Sequence, residues 1–202
     1  MAGTGLVAIL RGITPDDVVA VGEVLAEAGL DAIEVPLNSP SPFTSVERLA
    51  TAVGERCAVG AGTVVDVADV PRARDAGARI VVAPNADPAV IAASIDAGMR
   101  PYPGVATPTE AFAAIAAGAR HLKLFPADAV GVAGMKAWRA VLPSEVELLP
   151  VGGVDDTDLA EWKAAGAGGA GLGSTLYRPG DRPEQVRARA TSLRRAWTGA
   201  TR

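Results

Sequence analysis

Lys123 is the residue whose type and position most directly suggest chemistry. It lies in the segment His121 to Phe125, where alternating apolar residues predict a β-strand with Leu122 and Leu124 on one face and Lys123 on the other. A lysine directed into a core needs a charged partner or a function, because burying an unpaired charge is costly. Desolvation lowers the pKa of a lysine, and the resulting neutral amine can attack a ketone to form a Schiff base.

Glu34 is the acid that could act together with this amine. It lies within the strand pattern Ala32-Ile33-Glu34-Val35-Pro36-Leu37. A protonated imine is an electron sink, so the neighbouring carbon–carbon bond can break once a base takes the proton of the departing alcohol, and Glu34 is placed for that step. The alternative is a buried structural ion pair between Glu34 and Lys123, which would satisfy both charges without catalysis.

Other candidate residues stand where further predicted strands end. Arg11 follows the first strand and offers a guanidinium group suited to a carboxylate or phosphate. Glycine-rich turns follow the last two strands, a position at which such folds often hold phosphate through backbone N–H groups. We predict that the substrate-binding residues are Arg11, Thr63, Pro84, Phe125, Gly152, Gly153, Gly173 and Ser174. Taken singly, these residues also fit ordinary strand exits and tight turns.

The elements that must position these residues alternate regularly along the chain. An apolar segment of strand length recurs every roughly 20 to 25 residues, and a helical pattern with capping signals, such as Thr14-Pro15 and Thr107-Pro108, follows each one. The predicted strands include Cys57 to Val64, which contains Thr63, and Arg100 to Gly104, and a helix is predicted around Val132 to Val141. Eight strand–helix units predict an α/β fold, a single-domain (β/α)8 TIM barrel over residues 1–202. An open doubly wound sheet is the alternative, because periodicity does not show closure.

Composition and charge exclude several classes of protein. A net charge of -4 and a pI near 5.1 argue against nucleic acid as the main partner. No apolar run approaches the roughly 18 residues of a membrane span, so we expect no membrane partner. The single Cys57 excludes an intrachain disulfide and, with no signal-like start, favours a cytoplasmic location. No Asp, Glu or His cluster has metal-ligand spacing, so we expect no metal.

The sequence resembles the aldolases that cleave 2-keto-3-deoxy-6-phosphosugar acids, and the likeness covers nearly the whole chain. Its motifs are Ala8-Ile9-Leu10-Arg11-Gly12, Ile33-Glu34-Val35-Pro36-Leu37-Asn38-Ser39-Pro40, Gly60-Ala61-Gly62-Thr63-Val64, Leu122-Lys123-Leu124-Phe125-Pro126, Val151-Gly152-Gly153-Val154 and Gly171-Leu172-Gly173-Ser174. Together these motifs are highly specific to that family.

This resemblance implies a role for each matching residue. Lys123 would be the Schiff-base lysine and Glu34 the general acid/base. Arg11 and Thr63 would bind substrate, and phosphate would be bound by the turn residues Gly152, Gly153, Gly173 and Ser174. The family also implies a cytoplasmic homotrimer that needs no cofactor and takes a phosphorylated sugar acid and pyruvate as its small-molecule partners.

Two positions indicate a branch of this family. Members that act on the gluconate compound typically carry an arginine four residues after the strand-two glutamate and read Pro-Thr-Gly-Gly on strand seven. This chain has Asn38 at the first position and Val151 at the second, as in the galactonate branch. We therefore expect cleavage of 2-dehydro-3-deoxy-6-phospho-D-galactonate to pyruvate and D-glyceraldehyde 3-phosphate. The alternatives are a gluconate-type or broad-specificity aldolase and a non-catalytic phosphate-ligand-binding barrel.

Overall fold

Strands and helices alternate along residues 5–199, the part of the chain that the computed structural model describes. The strands are β1 (Leu6–Ile9), β2 (Ala32–Pro36), β3 (Ala58–Gly62), β4 (Ile80–Val82), β5 (Arg100–Tyr102), β6 (Gly104–Val105), β7 (His121–Leu124), β8 (Glu147–Pro150) and β9 (Ala170–Leu172). The helices are α1 (Val18–Glu27), α2 (Pro42–Val53), α3 (Asp69–Asp75), α4 (Pro88–Asp96), α5 (Pro108–Ala116), α6 (Ala127–Arg139), α7 (Leu159–Ala164) and α8 (Pro183–Thr198).

The strands form two parallel sheets. Six strands pair in the order β5-β4-β3-β2-β1-β9, and three pair in the order β6-β7-β8. The α/β class and the parallel pairing confirm the sequence prediction. The predicted closed ring is borne out only in part, because the continuous backbone ladders form a parallel half-barrel with a separate three-stranded sheet.

Two prolines explain why the sheet divides where it does. The segment predicted as one strand, from Arg100 to Gly104, is split at Pro103 into β5 and β6. The Tyr102 carbonyl accepts a hydrogen bond of 3.1 Å from Ala83 N and so faces β4. Because backbone polar groups alternate in direction along a strand, those of Pro101 and Pro103 face β7. Neither proline has an N–H to donate there.

The second junction lies between β8 and β9, and it is bridged by single contacts. Val151 and Gly171 form an isolated parallel bridge just beyond the end of β8. Before the start of β9, Gly168 N donates a hydrogen bond of 3.0 Å to the Leu148 carbonyl. The two sheets therefore adjoin here without a full ladder.

The apolar core has two parts, as expected for strands covered by helices. The main cluster lies between the strands and the helices and runs from Leu6 to Trp197. A second, smaller cluster is formed by buried strand residues: Val7, Ala32, Ile80, Val82, Tyr102 and Leu149. Strands buried on both faces read as continuous apolar runs, which is why β1 and β4 show no alternation.

Helix starts agree with the sequence where a capping side chain reaches the backbone. Thr107 and Glu110 form the predicted capping box of α5. Thr14, predicted as the cap of α1, instead donates its hydroxyl to the Asp17 carboxylate at 2.7 Å, and α1 begins only at Val18. Helix α6 was expected to start near Val132 but begins at Ala127, with a non-helical break at Gly131, whose φ is 71°.

Candidate active site

Lys123 stands on β7 as the alternation predicts, and it is buried, with 6% of its surface exposed. Its pairing partner on β6 is Gly104, which presents no side chain to it. The Lys123 Nζ lies 4.5 Å from the centroid of the Phe125 ring. Burial lowers the pKa of Lys123; the nearby Glu34 charge opposes this and the Arg11 charge adds to it. A neutral amine is therefore more accessible here than on a surface lysine.

Glu34 stands on β2 and is buried even more completely, with 1% of its surface exposed. Burial raises the pKa of its carboxyl group to about 7, although the positive charges of Lys123 and Arg11 act to lower it. Its Oε2 atom is buried and has no hydrogen-bond partner within residues 5–199. A carboxyl group with such a pKa can both accept and donate a proton near neutral pH.

The structure does not contain the direct ion pair that was the alternative reading of these two residues. Across the described part of the chain, no N···O contact of 4.0 Å or shorter joins Glu34 to Lys123. The two groups sense each other's charge without forming a salt bridge. The amine of Lys123 and the carboxyl group of Glu34 are therefore both available to interact with a bound ligand.

Arg11 lies just after β1 at the mouth of the site, and the loop after β2 holds it. Its Nη1 donates a hydrogen bond of 2.6 Å to Asn38 Oδ1, and its Nη2 lies 3.5 Å from Thr63 Oγ1. Next to it, Gly12 N donates to Ser39 Oγ at 2.9 Å. These contacts fix a guanidinium group that has donors left for an anionic ligand.

Thr63 does not lie in a strand, contrary to the sequence prediction. Strand β3 ends at Gly62, and Thr63 follows with φ of 56°, in the left-handed region that β-branched residues rarely adopt. Such a conformation persists only where the surrounding structure imposes it, and it is common at functional sites. It leaves the Thr63 hydroxyl 3.5 Å from the Arg11 guanidinium group.

A cavity of about 180 Å³ opens beside Lys123 at the ends of β7, β8 and β9. It is lined by residues that include Arg11, Lys123, Phe125, Gly152, Gly153, Gly173 and Ser174. Gly152 and Gly153 have φ of 98° and 77°, a backbone conformation that glycine adopts without strain. Thr175 Oγ1 donates to the Val154 carbonyl at 3.1 Å and thereby ties the two turns together. Such turns present backbone N–H groups to an anion.

The structure thus brings together most of the predicted site. Glu34 lines a second void of about 20 Å³ that it shares with Lys123, below the larger cavity. Pro84 lines neither of these two spaces; its carbonyl instead lies against Gly104. Sequence reasoning missed Thr175, which lines the larger cavity.

His121 lies away from the mouth, because it stands two residues before Lys123 on β7. Its ring centroid is 4.9 Å from that of Tyr102, and its Nε2 is 3.6 Å from a Glu147 carboxylate oxygen. It lines a separate cavity of about 440 Å³ at the opposite ends of the strands. Burial lowers its pKa, while the Glu147 charge acts to raise it.

Residues 5–199 contain no group of three or more His, Cys, Asp or Glu side chains arranged to hold a metal ion. Among the helices of that same region, none combines the length and apolarity needed to cross a membrane.

Comparison with known proteins gives one consistent result. The family model described as KDPG and KHG aldolase matches residues 1–185. A protein of Rhizobium meliloti (strain 1021) named "Probable 2-dehydro-3-deoxy-6-phosphogalactonate aldolase" is 48% identical over 192 residues, which is 95% of this chain and 91% of that protein.

Solved structures agree with the sequence match. "Native KDPGal structure" superposes with a TM-score of 0.94 at 44% identity and covers 96% of this chain and 94% of that one. A "cube-shaped, highly porous protein cage designed by fusing symmetric oligomeric domains" superposes with a TM-score of 0.95 at 44% identity, covering 96% of this chain and 72% of that one.

Proposed function

Because the chain belongs to the family of KDPG and KHG aldolases, we propose that it cleaves 2-dehydro-3-deoxy-6-phospho-D-galactonate to pyruvate and D-glyceraldehyde 3-phosphate through a Schiff base. One observation carries this proposal: the buried amine of Lys123 lies beside the buried, unpaired carboxyl group of Glu34, at a cavity walled by two glycine turns. The similarity to a galactonate-type relative supports this choice of sugar.

The first step forms the imine at carbon 2 of the substrate. Burial lowers the pKa of Lys123, so its neutral amine attacks the ketone and gives a carbinolamine. The carbinolamine loses its hydroxyl group as water, and Glu34 donates the proton that this departure requires. The product is a protonated imine, with its positive charge on the former lysine nitrogen.

The second step breaks the bond between carbons 3 and 4. The Glu34 carboxylate, directly or through a water, takes the proton of the hydroxyl at carbon 4, which becomes the aldehyde of glyceraldehyde 3-phosphate. The electron pair of the broken bond moves to the imine and gives a neutral enamine. Protonation of carbon 3 restores the imine, and its hydrolysis releases pyruvate and the free Lys123 amine.

Substrate orientation would come from its two anionic ends. The backbone around Gly152, Gly153 and Gly173, with the Ser174 hydroxyl, lines the cavity beyond Lys123 and suits the phosphate. Arg11, aided by Thr63, lies at the mouth near the amine and suits the carboxylate next to the ketone. Phe125 lines the same cavity and gives it an apolar surface.

Borohydride trapping together with a comparison of two substrates tests the proposal. Reduction in the presence of pyruvate should attach a pyruvyl group to Lys123, located by mass spectrometry, and leave Lys136 and Lys163 unmodified as internal controls. An unmodified Lys123 in an active preparation contradicts the mechanism. Pyruvate release should be faster from the galactonate than from the gluconate compound; the reverse order would assign the gluconate activity, and no release from either would leave a binding protein.

We also propose that the two sheets act as one closed (β/α)8 barrel. The continuity of β5 with β6 and the hydrogen bond of 2.9 Å from Lys123 N to the Pro103 carbonyl support closure on one side. The Val151–Gly171 bridge supports it on the other. Slow hydrogen exchange at the Lys123 and Gly168 amides would agree with closure, and rapid exchange would contradict it.

A homotrimer in the cytoplasm completes the proposal. The similarity to a cage built from symmetric oligomeric domains supports self-association. The single cysteine, buried and free, suits a reducing compartment. Sedimentation equilibrium should give three times the mass of the chain, and cell fractionation should recover the activity with cytosolic markers.

A further inference from the structure

The carboxyl group of Glu34 occupies the space that a side chain on Gly62 would fill. A Cβ atom built on Gly62 would lie 1.7 Å from Glu34 Oε2 and 2.3 Å from Glu34 Cδ, and the third nearest atom belongs to the same carboxyl group. Gly62 is not among the glycines with positive φ. Glycine is therefore needed here for its lack of a side chain, not for its backbone freedom.

The pairing of β2 with β3 explains how the carboxyl group reaches this place. Glu34 pairs with Gly60, and Pro36 pairs with Gly62. Side chains in a strand lean along the strand direction, so Glu34 leans over the next residue on the same face of β3, which is Gly62. Leu37 N donates to the Gly62 carbonyl at 2.7 Å, which keeps the two strands from separating there.

Shape, more than hydrogen bonding, holds this carboxyl group. Glu34 Oε2 is buried without a hydrogen-bond partner in the described residues, and Glu34 makes no salt bridge there. A side chain without such tethers takes its position from the atoms packed around it. Gly62 is part of that packing, and a methyl group added to it would fill the space that the carboxyl group now occupies.

We propose that Gly62 is a positioning residue that sets the place of the Glu34 carboxyl group relative to Lys123. The proposal deepens the proposed aldolase function, on which its catalytic consequence rests. A larger residue at Gly62 would push the carboxyl group away from the reacting atoms while leaving Glu34, Lys123 and the substrate-binding turns chemically unchanged.

Gly60 supplies a matched control in the same strand. A Cβ atom on Gly60 would lie 2.2 Å from Ile80 Cγ1 and 2.7 Å from the Ile80 carbonyl oxygen, so its conflict is with the packing of β4. Substitution of Gly60 should therefore disturb the packing of β3 against β4 without filling the Glu34 space. Its effect should not depend on the residue at Glu34.

A stability cycle tests the contact without any assay of catalysis. Gly62→Ala should lower the melting temperature when Glu34 is present and have a much smaller effect in the Glu34→Ala background, since the clash is with the carboxyl group. Gly60→Ala should cost the same in both backgrounds. If Gly62→Ala alone fails to fold, folding of the Gly62→Ala/Glu34→Ala double variant still supports the proposal. Equal losses of melting temperature in both backgrounds overturn it. So does a double variant that fails to fold when the Glu34→Ala protein folds.

An activity cycle tests the positioning role. Gly62→Ala should lower kcat by about 100-fold with little change in KM, the order expected when a general acid–base group is misplaced. In the Glu34→Asp background, whose shorter side chain leaves room for a methyl group, the same substitution should cost less than about tenfold. An equal loss in both backgrounds overturns the role. Should the unmodified protein cleave neither sugar acid, the proposed function fails while the stability cycle still decides the contact.

Discussion

Asn38 Oδ1 accepts a hydrogen bond of 2.6 Å from Arg11 Nη1, so the loop after β2 holds the one guanidinium group that lines the cavity among the described residues. The neighbouring bond from Gly12 N to Ser39 Oγ, at 2.9 Å, ties the same two loops together. Because the amide is neutral, it orients Arg11 without cancelling its charge.

Asn38→Asp should therefore weaken substrate binding. A carboxylate at this position would pair with the Arg11 guanidinium group and offset the charge that attracts an anionic substrate. We expect KM to rise by about three- to tenfold with a smaller change in kcat, as measured by steady-state pyruvate release. Asn38→Ala is the control, because it removes the hydrogen bond and leaves the charge of Arg11 uncancelled. If KM rises as much in Asn38→Ala as in Asn38→Asp, the orientation of Arg11 matters and the cancelled charge does not.

The pH dependence of the reaction should report the Glu34 carboxyl group. Its pKa is raised by burial to about 7, and in the proposed mechanism the carboxylate is the form that removes the hydroxyl proton. The value of kcat/KM for cleavage should therefore rise with pH through about 7. Glu34→Gln should be slow and lack this limb; a limb that persists in this variant would assign the titration to another group.

The stability of the folded protein should fall with pH over the range in which kcat/KM rises. The folded-state pKa of Glu34 lies above its usual value of 4.5, so the folded protein holds more protons than the unfolded chain between pH 4.5 and about 7. The contribution of Glu34 to the free energy of unfolding is then lost as pH rises through that window. Denaturant unfolding at pH 5 and pH 8 should show a smaller difference for Glu34→Gln than for the unmodified protein.

Gly173 allows the proposed phosphate site to be tested with little disturbance of the fold. It lines the cavity, its φ is not positive, and a Cβ atom added there would meet no atom within 4 Å. Gly173→Ala and Gly173→Val should keep the melting temperature nearly unchanged and raise KM for the phosphosugar acid progressively, by about tenfold for valine. Trapping of pyruvate, which has no phosphate, serves as the control and should proceed normally in both variants.

Tyr102 should keep water away from Glu34 and Lys123. With Val7 and Leu149, it lines both the void of about 20 Å³ at Glu34 and Lys123 and the cavity of about 440 Å³ at the other end of the strands. Tyr102→Ala should connect the two spaces and hydrate the pair, which moves the Glu34 limb of the rate profile to lower pH. Tyr102→Phe keeps the ring and should leave the limb in place; equal shifts in both variants would contradict a sealing role.

The parts of this site that the sequence predicts are those encoded locally. Alternation around Lys123 is enough to direct it inward, and its burial in β7 confirms that prediction. The placement of Thr63 was wrong because its β propensity does not reveal that β3 ends one residue earlier, where the chain turns left-handed. The Gly62–Glu34 contact depends on the register of two strands, which no single segment specifies. The division at Pro101 and Pro103, in contrast, had a visible cause in the missing N–H groups.

The contact between Lys123 and Phe125 has a consequence for the energetics of turnover. An aromatic face attracts a cation, so at 4.5 Å the ring favours every species with a positive nitrogen and gives nothing to a neutral one. Along the proposed cycle, the ammonium form of Lys123 and the iminium gain from the ring, whereas the free amine and the enamine do not. Phe125 thus works against the deprotonation that starts the cycle, and it drives the enamine toward the protonation that ends it. The ring would therefore slow the formation of the neutral Lys123 amine and shorten the lifetime of the enamine.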